Sequence, residues 1–364
     1  MSIPDNSIPD IFDPEKLREE RKKKIAELLA LCEDCDEDDE DEEVEEREEI
    51  YKTGVLKTIP MHIIDAINGD VIVGKNDNEK EENLSWDSIC GLEREKEILT
   101  ESIVWPMKHP YLFKGKNQQP ALNFLLFGPP GTGKTMIAKC LAAESKATFF
   151  NVASSTLGSK WCGEGEKMVK ALFALAKLNA PSVVFVDEVD SFLSKRSDGE
   201  DEHIRRMKTE FLIHMDGISK EKDKQVVIIA ATNKAFELDE AARRRFNKRL
   251  YIPLPDVAAR KAMLIQTLDN DHVLTDDQLT MVAEKTHGFS GADITDLCAE
   301  ASMYPIRDIS HLLDQHIYVP LEDVRKMTFS DFIGALKTIK PSVSEEEAKS
   351  YEEFAHEFGS NFFT

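Results

Sequence analysis

The sequence predicts an α/β protein: a large domain built on a parallel sheet, followed by a small helical-bundle domain. Three observations carry this. Short apolar runs at 122–127, 148–152, 183–186 and 226–230 alternate with helical segments, and turn residues bound each run. Strands buried on both faces of a parallel sheet read this way. A glycine-rich phosphate loop follows the first run and opens a helix, the context in which that motif has meaning. After Pro255 no comparable run appears. Helical spacing continues instead over 257–268, 275–286, 291–309 and 328–338. A last helix follows Pro341, with Ser342 and Ser344 as candidate N-caps.

The segment ahead of the large domain is of a different kind. Of the net charge of −23, residues 1–83 contribute the greater part, with 27 acidic and 11 basic side chains. Between positions 33 and 49 nearly every residue is Asp or Glu. Like charges at that density repel, and few apolar groups offset the ordering entropy. Residues 1–56 are therefore expected to be an acidic, disordered tail. Arg21, Lys22, Lys23 and Lys24 cluster on a helical stretch within it. They read as a solvated helix face or as a nuclear address. Cys32 and Cys35 lack further ligands at zinc spacing and read as free thiols. Residues 57–83 hold Ile59, Ile63, Ile64 and Ile67 at helical spacing before a polar stretch, the expectation being a linker helix and a loop. The large domain then takes 84–254, and the small helical domain with its C-terminal helix takes 255–364.

Six scattered cysteines suit a reducing compartment. No apolar run approaches the ~20 residues of a membrane span, and the first residues lack signal-peptide character. The expectation is a cytoplasmic or nuclear protein that binds no membrane directly. Its mildly acidic body suits no sequence-specific nucleic acid partner.

The chemistry concentrates at strand ends. Gly128, Pro129, Pro130, Gly131, Thr132, Gly133, Lys134 and Thr135 fit G-x-x-x-x-G-K-[ST]. The glycines let backbone N–H groups curl around phosphate oxygens, and the helix N-terminus adds its positive end. Lys134 should reach the outer phosphates, and the Thr135 hydroxyl should ligate Mg²⁺. Asp187 and Glu188 emerge from the third run. Asp187 suits the Mg²⁺ shell, and Glu188 suits polarising an attacking water. Asn233 ends the fourth run, either as a turn residue or as a group that orients the water. Arg243, Arg244 and Arg245 read equally as a solvated basic helix end or as guanidiniums that stabilise a transferring phosphoryl group.

In this order, these elements resemble the AAA+ ATPases, over roughly residues 57–362. Within that class the chain is similar to the clade of spastin, katanin and fidgetin. The residues 86–92 (Trp-Asp-Ser-Ile-Cys-Gly-Leu), 159–169 and 289–293 (Phe-Ser-Gly-Ala-Asp) carry the likeness. The stretches 239–246, 248–255 and 340–344 point to the fidgetin-like ATPases. The resemblance implies ATP and Mg²⁺ as nucleotide and cofactor. It places Asp87, Ile89, Cys90 and Gly91 against the adenine, with Gly291 and Ala292 closing the other side and Met136 beside the loop. Asn233 becomes the first sensor. Arg244 and Arg245 become fingers on a neighbour's ATP, which implies a homo-hexamer with shared sites. Trp161, which on composition alone reads as a core residue, would grip an extended polypeptide in a central pore together with Lys160. His203 and Arg205 fall where a second pore loop is expected. The activity implied is an ATP-driven, protein-threading motor. Microtubule severing through tubulin tails is the first expectation, which admits a cytoskeletal location, and remodelling of a nuclear recombinase filament is the alternative.

Overall fold

A computed structural model describes residues 59–68, 71–72, 84–113, 120–153, 165–195, 202–218, 225–268, 271–315, 318–320 and 323–360. The acidic segment 1–56 and the expected pore residues Lys160 and Trp161 lie outside these. So do Arg21, Lys22, Lys23, Lys24, Cys32 and Cys35.

The apolar spacing of the linker region forms helix α1 (Met61–Asn68), whose Ile63, Ile64 and Ile67 are buried. Where the sequence led us to expect only a loop, Val71–Ile72 forms strand β1. Two residues are too few to show an alternation, so no pattern announces it. Helix α2 (Glu93–Leu99) runs on through a π-helical turn, Thr100–Val104, into Trp105–Lys108.

The large domain then alternates as anticipated: β2 (Asn123–Phe127), α3 (Lys134–Ser145), β3 (Thr148–Ala153), α4 (Gly165–Leu178), β4 (Ser182–Asp187), α5 (Glu202–Ile218) and β5 (Val226–Thr232). Beyond them come α6 (Glu240–Arg245) and β6 (Lys248–Tyr251). Strand β6 escaped the sequence reading because it has four residues and two of them are basic. The six strands lie in the order β1-β3-β4-β5-β2-β6. Five are mutually parallel, and β1 joins the β3 edge antiparallel. Burial explains the apolar runs: every residue of β2 and β5 is buried. The register pairs Phe127 with Thr232 and Ala153 with Asp187. The C-terminal ends of β2, β4 and β5 therefore share one edge of the sheet. In open α/β sheets that edge, where strand order reverses, is where ligands bind.

The helical region comprises α7 (Val257–Leu268), α8 (Asp276–Lys285), α9 (Gly291–Asp308) and α10 (Phe329–Thr338) around a core of Leu264, Leu297, Phe332 and neighbours. Reciprocal side-chain caps start α8 at Thr275 and α9 at Ser290. Helix α11 (Glu345–Phe358) starts at the N-cap Ser344. It packs on the sheet domain, where Tyr351, Phe354 and Ala355 join Phe127 and Tyr251 in one buried cluster. Among the described residues, no helix is long and apolar enough to cross a membrane.

Candidate nucleotide site

The loop after β2 takes the backbone that its glycines permit. Gly131 and Gly133 have φ of 72° and 85°, the left-handed region that favours glycine. Gly128 is needed for space as well: a Cβ there would stand 2.2 Å from the Ile252 carbonyl oxygen. Gly133 is the N-cap of α3 and makes no side-chain cap. The first N–H groups of that helix are left to a ligand, and an anion is the ligand that suits them.

Lys134 is buried. Its Nζ donates to the carbonyls of Gly128 at 3.0 Å and Pro129 at 2.7 Å, and to Thr132 Oγ1 at 3.3 Å. Burial lowers its pKa to about 8, while Asp187 acts in the opposite sense. Thr132 donates in turn to the Pro129 carbonyl at 2.9 Å. Pro130 and Met136 stand exposed at the rim.

Thr135 Oγ1 donates to Asp187 Oδ2 at 2.8 Å. The structure thus joins residues 52 apart in sequence into one pair of oxygen ligands, the donor chemistry of a small hard cation. Among the described residues no group of three or more His, Cys, Asp or Glu is placed to hold a metal, so a cation here would draw its other ligands from phosphate and water. Glu188 is exposed, and its N–H donates to Asp187 Oδ1 at 2.9 Å. Its φ is 49°, a strained conformation for a residue with a Cβ and one that clusters at active sites.

At the end of β5, Thr232 Oγ1 donates to Asp190 Oδ1 at 2.6 Å. The next side chain, Asn233, has a buried Oδ1 with no partner among the described residues. A buried acceptor left open marks a place for a water or a ligand.

The loop is closed from two sides. Gly131 accepts from the Ala292 N–H at 3.2 Å, and a Cβ on Gly131 would come within 2.7 Å of Ser290 Oγ. Gly291 also approaches closely, since a Cβ there would lie 3.1 Å from the Gly131 carbonyl oxygen. On the other side the Trp86–Ser88 turn, with Asp87, packs against α3. Ile89 enters the core with Ile137 and Ala138. Cys90 Sγ donates to Gln266 Oε1 at 3.1 Å. A Cβ on Gly91 would meet Ala259 at 2.9 Å. Both residues that the 86–92 segment reaches here lie on α7.

The arginine cluster separates into three environments. The Arg243 guanidinium lies 4.2 Å above the Phe358 ring. Arg244 is exposed and pairs with Glu240. Arg245 Nε reaches both oxygens of Asp216. The Arg245 backbone stands at the opposite end of β2 from the phosphate loop of its own chain. The Arg245 carbonyl accepts from Asn123 Nδ2 at 3.2 Å, and Asn123 begins the strand whose far end opens the loop. At about 3.3 Å per residue, the five residues of β2 set the two roughly 13 Å apart. His203 and Arg205 lie in the first turn of α5, and Arg205 helps line an open, charged cleft of about 300 Å³ with Glu166, Arg206 and Glu210 among others.

Residues 124–254 match the family model of AAA, the ATPases associated with various cellular activities. Residues 276–317 match an AAA+ lid domain, and 322–359 a Vps4 C-terminal oligomerisation domain. The solved FIGL-1 AAA domain in complex with ADP superposes with a TM-score of 0.75 at 43% identity, covering 84% of this chain and 99% of that one. The chain belongs to the AAA ATPases, in their fidgetin-like group. Fidgetin-like protein 1 of Rattus norvegicus is 48% identical over 275 residues, which are 75% of this chain and 40% of the relative. A katanin structure solved for the basis of its self-assembly has a TM-score of 0.68 at 36% identity, covering 81% of this chain and 96% of that one. The chain spans about half the length of the curated relatives it matches. Family and site agree on a nucleotide-binding ATP hydrolase.

Sequence reasoning missed Asp190, Asp216, Ser290 and Tyr351. Asp190, Asp216 and Tyr351 work through partners distant in the chain, which no local spacing signals, and Ser290 caps α9 through Asp293.

Proposed function

We propose that this ATPase is a protein-remodelling motor that assembles as a ring, expected to be a homo-hexamer, and threads its substrate through a central pore. The observation that carries the ring is the place of Arg244 and Arg245. The Arg245 backbone sits a strand's length from its own phosphate loop, and the adjacent Arg244 is exposed. A finger so placed serves a neighbour's nucleotide. The match to an oligomerisation domain and the likeness to a self-assembling katanin support the same reading.

In each site the backbone of 128–135 and Lys134 hold the ATP phosphates. Asp87, Ile89, Cys90 and Gly91, with Gly291 and Ala292, flank the adenine. Thr135 and Asp187 would hold Mg²⁺, which neutralises charge on phosphate oxygens when bound. Glu188 accepts a proton from a water as its oxygen attacks the γ-phosphorus and the bond to the β,γ-bridging oxygen breaks. ADP and inorganic phosphate leave. The open Asn233 Oδ1 accepts a hydrogen bond from that water, and the neighbour's Arg244 and Arg245 stabilise charge in the transition state. Lys160 and Trp161 grip the substrate, and His203 and Arg205 serve as a second set of pore contacts.

The substrate favoured by the likeness to fidgetin-like proteins and katanin is the tubulin tail of a microtubule, in the cytoplasm or nucleus. Imaging of stabilised microtubules with ATP tests this. Internal breaks that require ATP, Glu188 and the tubulin tails are expected, with Glu188→Gln and tail-stripped tubulin as controls. Intact filaments beside confirmed ATP hydrolysis would reject severing and transfer the reading to another protein assembly, such as a nuclear recombinase filament.

A further inference from the structure

Helix α11 does more than cover the sheet. Its Tyr351 is buried, and the hydroxyl donates to the backbone carbonyl of Asn233, 118 residues earlier. The paired part of β5 ends one residue before, at Thr232, so that carbonyl lies beyond the ladder and this hydroxyl holds it. Burial foremost, then Glu347 and Asp190, raise the phenol pKa, and the hydroxyl remains a donor across the working pH range.

The tyrosine is itself held on every side. Its ring packs against Phe236 with centroids 6.1 Å apart. One turn on, Phe354 meets Phe127 edge-on at 5.3 Å, and Phe127 is the last residue before the phosphate loop. The start of the helix is tied to the other wall of the site: Ser342 donates through N–H and Oγ to Asp293, which also accepts from Ser290 beside Gly131. Its end is tied to β6 by two bonds between Ser360 and the Arg249 backbone. One helix thus spans from the cap of α9 to the residue that carries the open acceptor.

We propose that Tyr351 is a positioning residue for hydrolysis: its hydroxyl fixes the Asn233 peptide and thereby aims the Asn233 side chain at the reacting water. The role is within one subunit and is separate from the association ascribed to the matched domain. It rests on the reading of Asn233 as the water-orienting group. A neutral hydrogen bond that counts fully only in the transition state is worth about threefold to tenfold in rate.

The test uses the full chain as wild type, Tyr351→Phe, Asn233→Ala and the double variant. Steady-state ATP hydrolysis is read alongside ADP affinity, thermal midpoint and sedimentation. Tyr351→Phe keeps the ring and removes only the hydroxyl. The expected result is a kcat lowered about threefold to tenfold, with KM, ADP affinity and assembly unchanged and the thermal midpoint lowered by no more than a few degrees, as the loss of one hydrogen bond requires. The double variant should be little slower than Asn233→Ala, because both act through one group. Wild-type kcat in Tyr351→Phe beside a slow Asn233→Ala overturns the proposal and leaves the Asn233 reading intact. Wild-type kcat in Asn233→Ala removes that reading and the proposal with it. A loss in Tyr351→Phe that follows a loss of assembly assigns the tyrosine to association instead, and equally overturns the proposal.

Discussion

Asp216 receives Arg245 Nε through both of its carboxylate oxygens, each at 3.1 Å. The pair links the end of α5, whose first turn carries His203 and Arg205, to the last residue of α6, where the expected fingers lie. Arg245 Nη1 also donates to the Ala241 carbonyl at 2.9 Å, so the guanidinium is oriented from two directions.

Asp216→Asn should therefore lower ATP turnover by about tenfold or more while changing stability little, because a partly exposed pair is worth at most about 1 kcal/mol. Turnover and thermal unfolding of the same preparation check this. A variant that unfolds early but turns over normally once folded would show the pair to be structural only.

Lys134 carries a pH signature. Its pKa is lowered to about 8 by burial, so the ammonium of the free protein loses its proton as pH rises through that value. Bound phosphates favour the charged form. Nucleotide binding should thus take up close to one proton at about pH 9 and almost none at about pH 7, and affinity should fall up to about tenfold per unit above pH 8. Calorimetry in buffers of different ionisation enthalpy reads the uptake. Lys134→Arg, whose guanidinium does not titrate, should abolish it. Equal heats in all buffers at pH 9 would contradict the assignment.

Asp293 concentrates four donors on one oxygen: the N–H and Oγ of Ser290 and of Ser342, at 2.8 to 3.2 Å. Asp293→Ala leaves buried donors without a partner, and should cost roughly 2–3 kcal/mol of stability and weaken nucleotide binding. Ser342→Ala removes one of the four bonds and should cost about 1 kcal/mol. Denaturant unfolding measures both, and a loss in Ser342→Ala as large as that in Asp293→Ala would show that the carboxylate is not the centre of the network.

The parts legible from sequence share a physical cause. Strands β2, β4 and β5 are wholly or almost wholly buried, so they appear as apolar runs, and each delivers a polar motif at its end: 128–135, then Asp187 with Glu188, then Asn233. Helices α7 to α10 declared themselves through helical spacing, and α11 also through its N-cap Ser344. Strand β6 lies at the sheet edge with two half-buried basic residues, and strand β1 has two residues, so neither leaves a pattern. Apart from Thr135 and Asp187, which their motifs announced, the long-range pairs left no trace. Asp216 and Arg245 are 29 residues apart, Asp293 and Ser342 are 49, and Tyr351 and Asn233 are 118. Nothing local distinguishes such residues from an ordinary surface Asp or core Tyr.

The central claim is that each active site is shared between two copies of the chain. Mixing two inactive variants tests it most directly. Glu188→Gln keeps its fingers and lacks its base, whereas the double variant Arg244→Ala with Arg245→Ala keeps its base and lacks its fingers. Each alone should hydrolyse ATP at least about 10³-fold more slowly than wild type. Together they form some interfaces that combine an intact Glu188 with intact arginines, and the mixture should recover turnover well above the sum of its parts. A mixture no more active than that sum, with mixed assemblies confirmed by sedimentation, would contradict the shared site.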